Sequence, residues 1–344
     1  MTAPSPAPPN SVNLGCPDRT TGVPPVREDS ASRLSALETT GWKPVVHDRQ
    51  DACPPAKSTV LPASPALRLA DGVLVINLDQ RPERLERFAA MAALTSVLDG
   101  WQRIPAVNGV ELPGYDRRPW FRQRKRDKCW AGRAGCTLSH RKAIAYARDA
   151  GWDSVLILED DVQPGEGFDA AVKNFLDGTA ACPRPSSACF LGLSQQVGPS
   201  LKLRRLDDVR SIYQIFGCTG TFAYILQRDS FDWLLAKLPT AETIWPWVAR
   251  HRAIDRWYAR NLSGRFTVHA VSPSLIGHYS SFSDIGQRAG ANLLVEESEP
   301  EEHDHLRPCG PIAFSLGAAL LRIRFSLTKL VNRVQCAIKR QRGF

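Results

Sequence analysis

Cysteine motifs are absent from this 344-residue chain. Its nine cysteines include no CxxC pair and no run of Cys and His at zinc spacing, which excludes the common cysteine-based zinc sites. An odd, dispersed set is typical of reduced thiols in the core of a cytoplasmic protein.

Export and membrane signals are absent as well. No basic segment followed by an apolar core opens the chain, which argues against a secretory signal. No run reaches the roughly 18 to 20 apolar residues that a spanning helix needs. We therefore expect a cytoplasmic protein, associated at most with the cytoplasmic face of a membrane.

Acidic residues are outnumbered by basic ones. The 44 Lys and Arg residues against 35 Asp and Glu give a formal charge of +9. This excess favours anionic partners, such as nucleotides, phospholipids or nucleic acid, without choosing among them. Hydrophobic residues make up 43% of the chain, enough for the core of an enzyme-sized globular protein.

The composition divides the chain into four parts. Residues 1–69 are rich in proline and almost without apolar periodicity, so we predict a disordered extension. Residues 70–290 form the ordered domain, and residues 291–310 an acidic, solvated linker. Residues 311–344 predict a basic amphipathic helix, because leucines recur at steps of four and three while arginines fall on another face. This helix could bind an anionic membrane or pack on the domain.

Within the ordered domain, helices alternate with buried strands. The β-branched run Val73–Leu78 predicts a strand, and a helix follows from Pro82. An alanine-rich helix at residues 138–150 precedes the strand Ser154–Leu158. Further expected elements are strands at 188–193 and 221–226 and a helix at 230–238. The alternation predicts an α/β fold.

Three carboxylates crowd the end of the second strand, at Glu159, Asp160 and Asp161. Their mutual repulsion disfavours full ionisation unless a cation or hydrogen-bond donors compensate. Mg or Mn bound to a diphosphate suits such hard oxygen ligands, and ligands bind at the carboxyl ends of strands in open α/β sheets. The alternative is an acidic turn that caps the next helix.

Basic side chains and a late histidine are further candidates. Arg81 and Arg84 could bind phosphate near the first strand, whereas Arg87 is expected on a solvated helix face. His278 could complete a metal shell begun by Asp161, or it could be structural. Ser139 is expected to cap a helix, next to His140.

Two more segments could contact a substrate that is to be modified. Asp255 could act as a general base, or it could pair with a neighbouring arginine on the surface. Residues 116–130 interleave Lys and Arg with aromatic side chains. This segment could bind an anionic glycolipid, a phospholipid head group or single-stranded nucleic acid, or it could be a mobile solvated loop.

Several of these stretches, in this order and spacing, resemble glycosyltransferase family 25. The family includes bacterial lipopolysaccharide and lipooligosaccharide galactosyltransferases, and the similarity covers about residues 72–288. It is carried by Val75–Asp79 with Arg81 and Arg84, Pro105–Gly109, Gly135–His140, Leu156–Asp161, Gly220–Tyr224, Pro273–Ile276 and Ser283–Ile285.

The resemblance implies a GT-A-like single catalytic domain with a mostly parallel mixed sheet. It also implies a UDP-galactose or UDP-glucose donor, transfer with inversion, and a glycan or glycolipid acceptor such as lipopolysaccharide; nucleic acid is not expected. Mn or Mg is then held by Glu159 and Asp161, with His278 as a further candidate, and Asp161 and Asp255 are the candidate catalytic residues. The implied donor-binding residues are Asn77, Asp79, Arg81, Arg84, Ser139, His140, Glu159 and Asp160.

Two other functions remain compatible with these residues. A metal-dependent phosphohydrolase or nucleotidyl enzyme also places carboxylates at strand ends, and it would release phosphate without transferring sugar. A non-catalytic binding protein could retain the same fold.

Overall fold

The structure, a computed structural model, describes residues 67–117, 121, 127–182, 185–279 and 306–341. All of them belong to one unit of the chain, Pro62–Phe344. Of the predicted extension at 1–69 the structure describes only residues 67–69, and of the predicted acidic linker at 291–310 only residues 306–310.

The described residues form twelve strands and seven α-helices. The strands are β1 (Gly72–Asn77), β2 (Gln102–Pro105), β3 (Ser154–Glu159), β4 (Val162–Pro164), β5 (Ala188–Phe190), β6 (Gln195–Gln196), β7 (Ser200–Arg205), β8 (Ser211–Ile215), β9 (Cys218–Thr219), β10 (Ala223–Gln227), β11 (Val268–Ser272) and β12 (Ile276–His278). The helices are α1 (Pro82–Ala92), α2 (Asp127–Asp149), α3 (Phe168–Ala180), α4 (Arg228–Lys237), α5 (Ile244–His251), α6 (Ile254–Asn261) and α7 (Pro311–Gln341).

Eight strands form one mixed sheet in the order β2-β1-β3-β10-β5-β11-β8-β7. Three neighbouring pairs are parallel and four are antiparallel, so the expectation of a mostly parallel sheet was wrong. β7 and β8 are joined by a short turn and must run antiparallel. β10 runs antiparallel to β3 and begins beside the carboxyl end of β3, where the Glu159 amide donates to the Phe222 carbonyl.

The two strands that lead to the acidic triplet are buried on both faces, as their apolar runs predicted. Leu74 and Ile157 face one cluster, which includes the small residues of α2. Val75 and Leu158 face the other, with Phe88 of α1 and aromatic residues of α3. Each aliphatic side chain buried in this way contributes about 1.5–3 kcal/mol. The strand ends are therefore held rigidly between two helical layers.

Helix α2 begins at Asp127, well before the predicted start near residue 138. Glycines within it weaken the helical signal, but buried Ala131 and Ala134 let the helix pack closely. Ser139 consequently lies in the middle of the helix, so the expectation that it caps a helix start was wrong.

Helix α7 confirms the helix predicted near the C-terminus. Its segment Pro311–Val331 is long and apolar enough to cross a membrane by length and composition. The expectation that no segment reaches that length was therefore wrong. The reason is that leucine, isoleucine, phenylalanine and alanine keep the mean hydropathy high, although serine, glycine and basic residues interrupt the apolar run.

Candidate functional site

A cavity of about 650 Å³ opens at the carboxyl ends of β1 and β3. The loop at residues 106–111 and one side of α2 form its other walls. The polar and ionisable residues that line it are Gln80, Arg84, Asn108, Glu111, Tyr115, Lys128, Cys136, Ser139, His140, Glu159, Asp160 and Asp161. The predicted site thus coincides with the edge where open α/β sheets bind ligands.

Asp160 is locked by donors from the neighbouring strand and helix. Its Oδ2 accepts from Asn77 Nδ2 at 2.7 Å, and its Oδ1 accepts from Arg84 Nη1 at 3.1 Å. Burial raises the pKa of Asp160, and these hydrogen bonds offset part of that rise. Asp160 therefore shapes the site, with both oxygens already engaged.

Asp161 has the opposite environment. Its Oδ1 is buried and has no hydrogen-bond partner among the described residues, while its Oδ2 lies 3.6 Å from Arg84 Nη1. Burial, reinforced by the charge of Glu159, raises the pKa of Asp161 to about 7. A buried carboxylate oxygen without a donor is the kind of atom that a divalent cation would satisfy. The acidic triplet therefore fits a hard metal ion.

Glu159 faces the helix α2 side of the cavity. His140 Nε2 lies 3.4 Å from Glu159 Oε1, and His140 Nδ1 lies 2.8 Å from the Tyr224 hydroxyl. One turn earlier on α2, Cys136 brings its sulfur close, so that the ligand atoms of Cys136, His140 and Glu159 lie within 4.8 Å of one another. His140, at 1% exposure, is thus oriented by Tyr224 and Glu159.

Asn77 lies beneath the triplet, away from the cavity wall. Besides its bond to Asp160, its Nδ2 donates to the Arg81 carbonyl at 3.0 Å and its Oδ1 accepts from Arg103 Nε at 3.0 Å. Asp79 is exposed and pairs with Arg103, and Arg81 lies 3.5 Å from Glu83. Among these predicted donor-binding residues, Asn77 therefore holds Asp160 in place, and neither Asp79 nor Arg81 lines the cavity.

Ser139 ties the cavity loop to α2. Its Oγ donates to the Gly135 carbonyl at 2.7 Å and accepts from the Val107 amide at 2.8 Å. The loop approaches so closely that a Cβ on Gly135 would lie 2.2 Å from the Val107 carbonyl oxygen, and one on Gly109 would lie 1.7 Å from that of Ala131. Glycine at both positions is what permits this contact.

His278 lies on β12, opposite Val162 of β4. It is exposed, and its ring stacks on Phe222 with a centroid distance of 4.9 Å. Because β4 follows the triplet directly in the chain, its pairing with β12 brings His278 near Asp161. The next residue, Tyr279, donates its backbone amide to the Asp161 carbonyl at 3.0 Å.

The sequence predicted that Arg87 lies on a solvated helix face, but its side chain also contacts Tyr279. Its guanidinium lies 3.6 Å from the ring centroid of Tyr279, where a cation–π contact forms. Arg87 thereby packs over the segment that follows His278, close to the backbone of Asp161.

Asp255 lies in the first turn of α6 and does not line the cavity. Its Oδ1 accepts from the Arg256 amide at 2.6 Å. Burial raises the pKa of Asp255, and the charge of Glu159 raises it further. Its own charge also raises the pKa of Cys136, so Asp255 is electrostatically coupled to the cavity wall.

Several cavity residues were not singled out from the sequence. Asn108 Nδ2 donates to Glu111 Oε1 at 2.6 Å, a pair that the three-residue spacing of the two could have indicated. Of the basic segment 116–130, residues 118–120 and 122–126 lie outside the described residues, while Lys128 lines the cavity. Tyr115 also lines it and packs on buried Phe121.

Comparison with known protein families finds a match for the part of the chain that carries this site. Residues 70–191 match the family model described as glycosyltransferase family 25 (LPS biosynthesis protein). The match includes the acidic triplet, α1 and α2, so the resemblance seen in the sequence is confirmed there and supports a glycosyltransferase.

The other comparisons add little. No curated protein matches the chain. Among solved structures, A197 from STIV is 11% identical, with a TM-score of 0.31, and the alignment covers 67% of this chain and 100% of that one. Mannose-1-phosphate geranyltransferase from Thermus thermophilus is 12% identical, with a TM-score of 0.28 and coverages of 62% and 76%. Likenesses this weak carry no argument about function.

Proposed function

We propose that this chain, whose residues 70–191 match the family model of glycosyltransferase family 25, transfers a hexose from a UDP-sugar to a glycan. The proposed donor is UDP-galactose or UDP-glucose, and the acceptor is lipopolysaccharide or another cell-surface glycan. The proposed transfer inverts the anomeric carbon and takes place in a GT-A-like domain on the cytoplasmic side.

The observation that carries the proposal is the unequal state of the three carboxylates. Asp160 is bound by Asn77 and Arg84, whereas Asp161 presents a buried oxygen, without a partner among the described residues, to a cavity large enough for a nucleotide sugar. Repelling carboxylates of this kind are compensated by a bound cation. A donor diphosphate beside them supplies the remaining oxygen ligands.

The residues that would hold Mn or Mg are Asp161 and Glu159, with His278 as a further candidate. When bound, such an ion neutralises negative charge that develops on the departing diphosphate. Arg84 adds a fixed positive charge next to the pair Asp160 and Asp161. Asn77 and Arg84 together keep Asp160 from rotating into the ligand position.

Asp255 is the proposed base, which requires the acceptor to reach past Cys136, because Asp255 itself does not line the cavity. Burial raises its pKa, which makes it a stronger proton acceptor than an exposed carboxylate. The acceptor oxygen forms a bond to the anomeric carbon as the bond from that carbon to the diphosphate oxygen breaks. The hydroxyl proton passes to the Asp255 carboxylate, and the electron pair leaves with UDP. Deprotonation and departure on opposite sides of the sugar give inversion.

The test is a transfer assay with purified protein, UDP-hexoses and Mn or Mg. We expect transfer and slow donor hydrolysis to require the metal, and Asp161→Ala to lower the rate by about 100-fold or more. The matched control is Asp232→Ala, because Asp232 is 87% exposed on α4 and its ion pair, with Arg148, is a loose one at 3.9 Å.

Two results would contradict the proposal. Full activity of Asp161→Ala would show that Asp161 is not part of the catalytic site. Release of phosphate from nucleotides without any sugar transfer would instead favour a phosphohydrolase.

A further inference from the structure

Helix α7 has two apolar faces, and one of them packs on the domain. Phe314 and Ala318 are buried against Phe216, and Leu321 and Phe325 join the same cluster partly buried. The four helix residues follow one another at steps of four, three and four, so they form a single inner stripe.

The opposite face of α7 carries a second apolar stripe, which none of the described residues covers. Thirteen large hydrophobic residues are exposed in the described part of the chain, and eight of them lie in α7 with exposures between 50% and 78%. This outer stripe consists of Ile312, Leu316, Leu320, Ile323, Leu327, Leu330, Val331 and Val334. The helix of a soluble domain normally presents polar residues on its outer face, so a stripe of this length marks a binding surface.

The charge of α7 indicates which partner fits the outer stripe. Residues 311–341 contain six Lys or Arg and no Asp or Glu. At about 100° of rotation per residue, Arg324 borders one side of the stripe and Arg333 follows its other side, whereas Arg322 and Lys329 lie nearer the inner stripe, where the Arg322 guanidinium stacks over the Phe216 ring at 5.3 Å. The long side chains of Arg324 and Arg333 reach anionic head groups while the leucines of the outer stripe enter the apolar interface.

We propose that the outer stripe of α7 binds the surface of a membrane that contains anionic phospholipids, with the helix axis in the membrane plane. Although Pro311–Val331 has the length and composition of a spanning helix, the inner stripe holds α7 on the domain. Arg322 and Arg324 would also lie near the middle of the bilayer in a spanning orientation, which is costly. This binding is independent of the proposed reaction.

The test is co-sedimentation of the full-length protein with vesicles. Vesicles of phosphatidylcholine and phosphatidylglycerol should bind it, vesicles of phosphatidylcholine alone should bind it less, and salt should weaken the binding. The double variant L320Q/L327Q should weaken binding about tenfold or more, because each leucine withdrawn from the interface loses roughly 1 kcal/mol or more.

The matched control is Leu94→Gln, which replaces an 86% exposed leucine outside α7. It should bind vesicles as the wild type does, and equal thermal unfolding midpoints of all three proteins would show that they fold alike. A second variant, R324E/R333E, should lose the preference for anionic vesicles while keeping the leucines.

Several results would overturn the proposal. Equal vesicle binding by L320Q/L327Q and the wild type would remove the outer stripe as the contact. No vesicle binding, with a dimer that L320Q/L327Q abolishes, would assign the stripe to a second copy of the chain. No vesicle binding by a monomer would assign it to a segment outside the described residues, and resistance to alkaline extraction would indicate a spanning helix.

Discussion

At the scale of single residues, Asp161 links the acidic site to the pH dependence of folding. Its pKa is about 7 in the folded protein and 3.8 in an ordinary carboxyl group. Between these values the folded state binds more protons than the unfolded state, so the free energy of unfolding should fall as the pH rises. Asp161→Asn should flatten this dependence. Urea unfolding in the presence of a chelator, at both ends of the window, measures the slope; an unchanged slope in the variant would contradict the prediction.

Substitution of Asn77 measures how much its hydrogen bonds beneath the acidic triplet contribute to stability. The side chain is 1% exposed and bonds to Asp160, to the Arg81 carbonyl and to Arg103. Asn77→Ala should lower the free energy of unfolding by about 1–3 kcal/mol, because buried partners lose their hydrogen bonds. The comparison is Asn261→Ala, which removes one hydrogen bond on the half-buried end of α6 and should cost less. Equal losses in denaturant unfolding would argue against a supporting role.

At the scale of elements, the contact between α2 and the cavity loop rests on glycine. A Cβ at Gly135 would lie 2.2 Å from the Val107 carbonyl oxygen, a distance that forces the helix and the loop apart. Gly135→Ala should therefore destabilise the fold by about 1–3 kcal/mol and weaken donor binding, because residues 106–111 line the cavity. Gly310→Ala is the control, since no atom lies within 4 Å of its Cβ position. Thermal unfolding of both variants gives the comparison.

The sequence predicted those elements whose signal is local. The apolar runs of β1 and β3 and the triplet after Leu158 are contiguous, so strand, burial and candidate ligands could be read together. Whether two neighbouring strands run parallel or antiparallel could not be read from the sequence, because the alternation of side chains is the same in both cases. The pairing of β10 with β3 joins residues far apart in the chain, such as Ala223 and Leu158.

The same limit explains the errors within the site. The bonds that fix Asn77 to Asp160 and Arg103 join residues on three separate segments, so no spacing in the sequence announces them. The start of α2 was hidden because glycine and charged residues interrupt its apolar periodicity. Cys136 and His140 are four residues apart on one helix, a spacing that the sequence shows. Their contact with Glu159, on a strand, could not be read from the sequence.

At the scale of the whole molecule, metal and donor should stabilise the fold together. Anything that binds only the folded state raises its stability, by about 2.7 kcal/mol at a hundredfold excess over the dissociation constant. For a domain of this size that corresponds to a rise of roughly 5–10 °C in the unfolding midpoint. We expect UDP with Mn to produce such a rise, each alone to produce less, and a chelator to reverse it.

The pH dependence of this rise in the unfolding midpoint should show which side chain binds the metal. Metal binding requires the ionised form of Asp161, whose pKa is about 7, so the shift should shrink as the pH falls below that value. Asp161→Asn should lose the metal-dependent part at every pH, whereas Asp232→Asn, an exposed control on α4, should keep it. A shift that persists in Asp161→Asn would mean that the cation binds elsewhere, with Cys136, His140 and Glu159 as the next group of ligands to substitute.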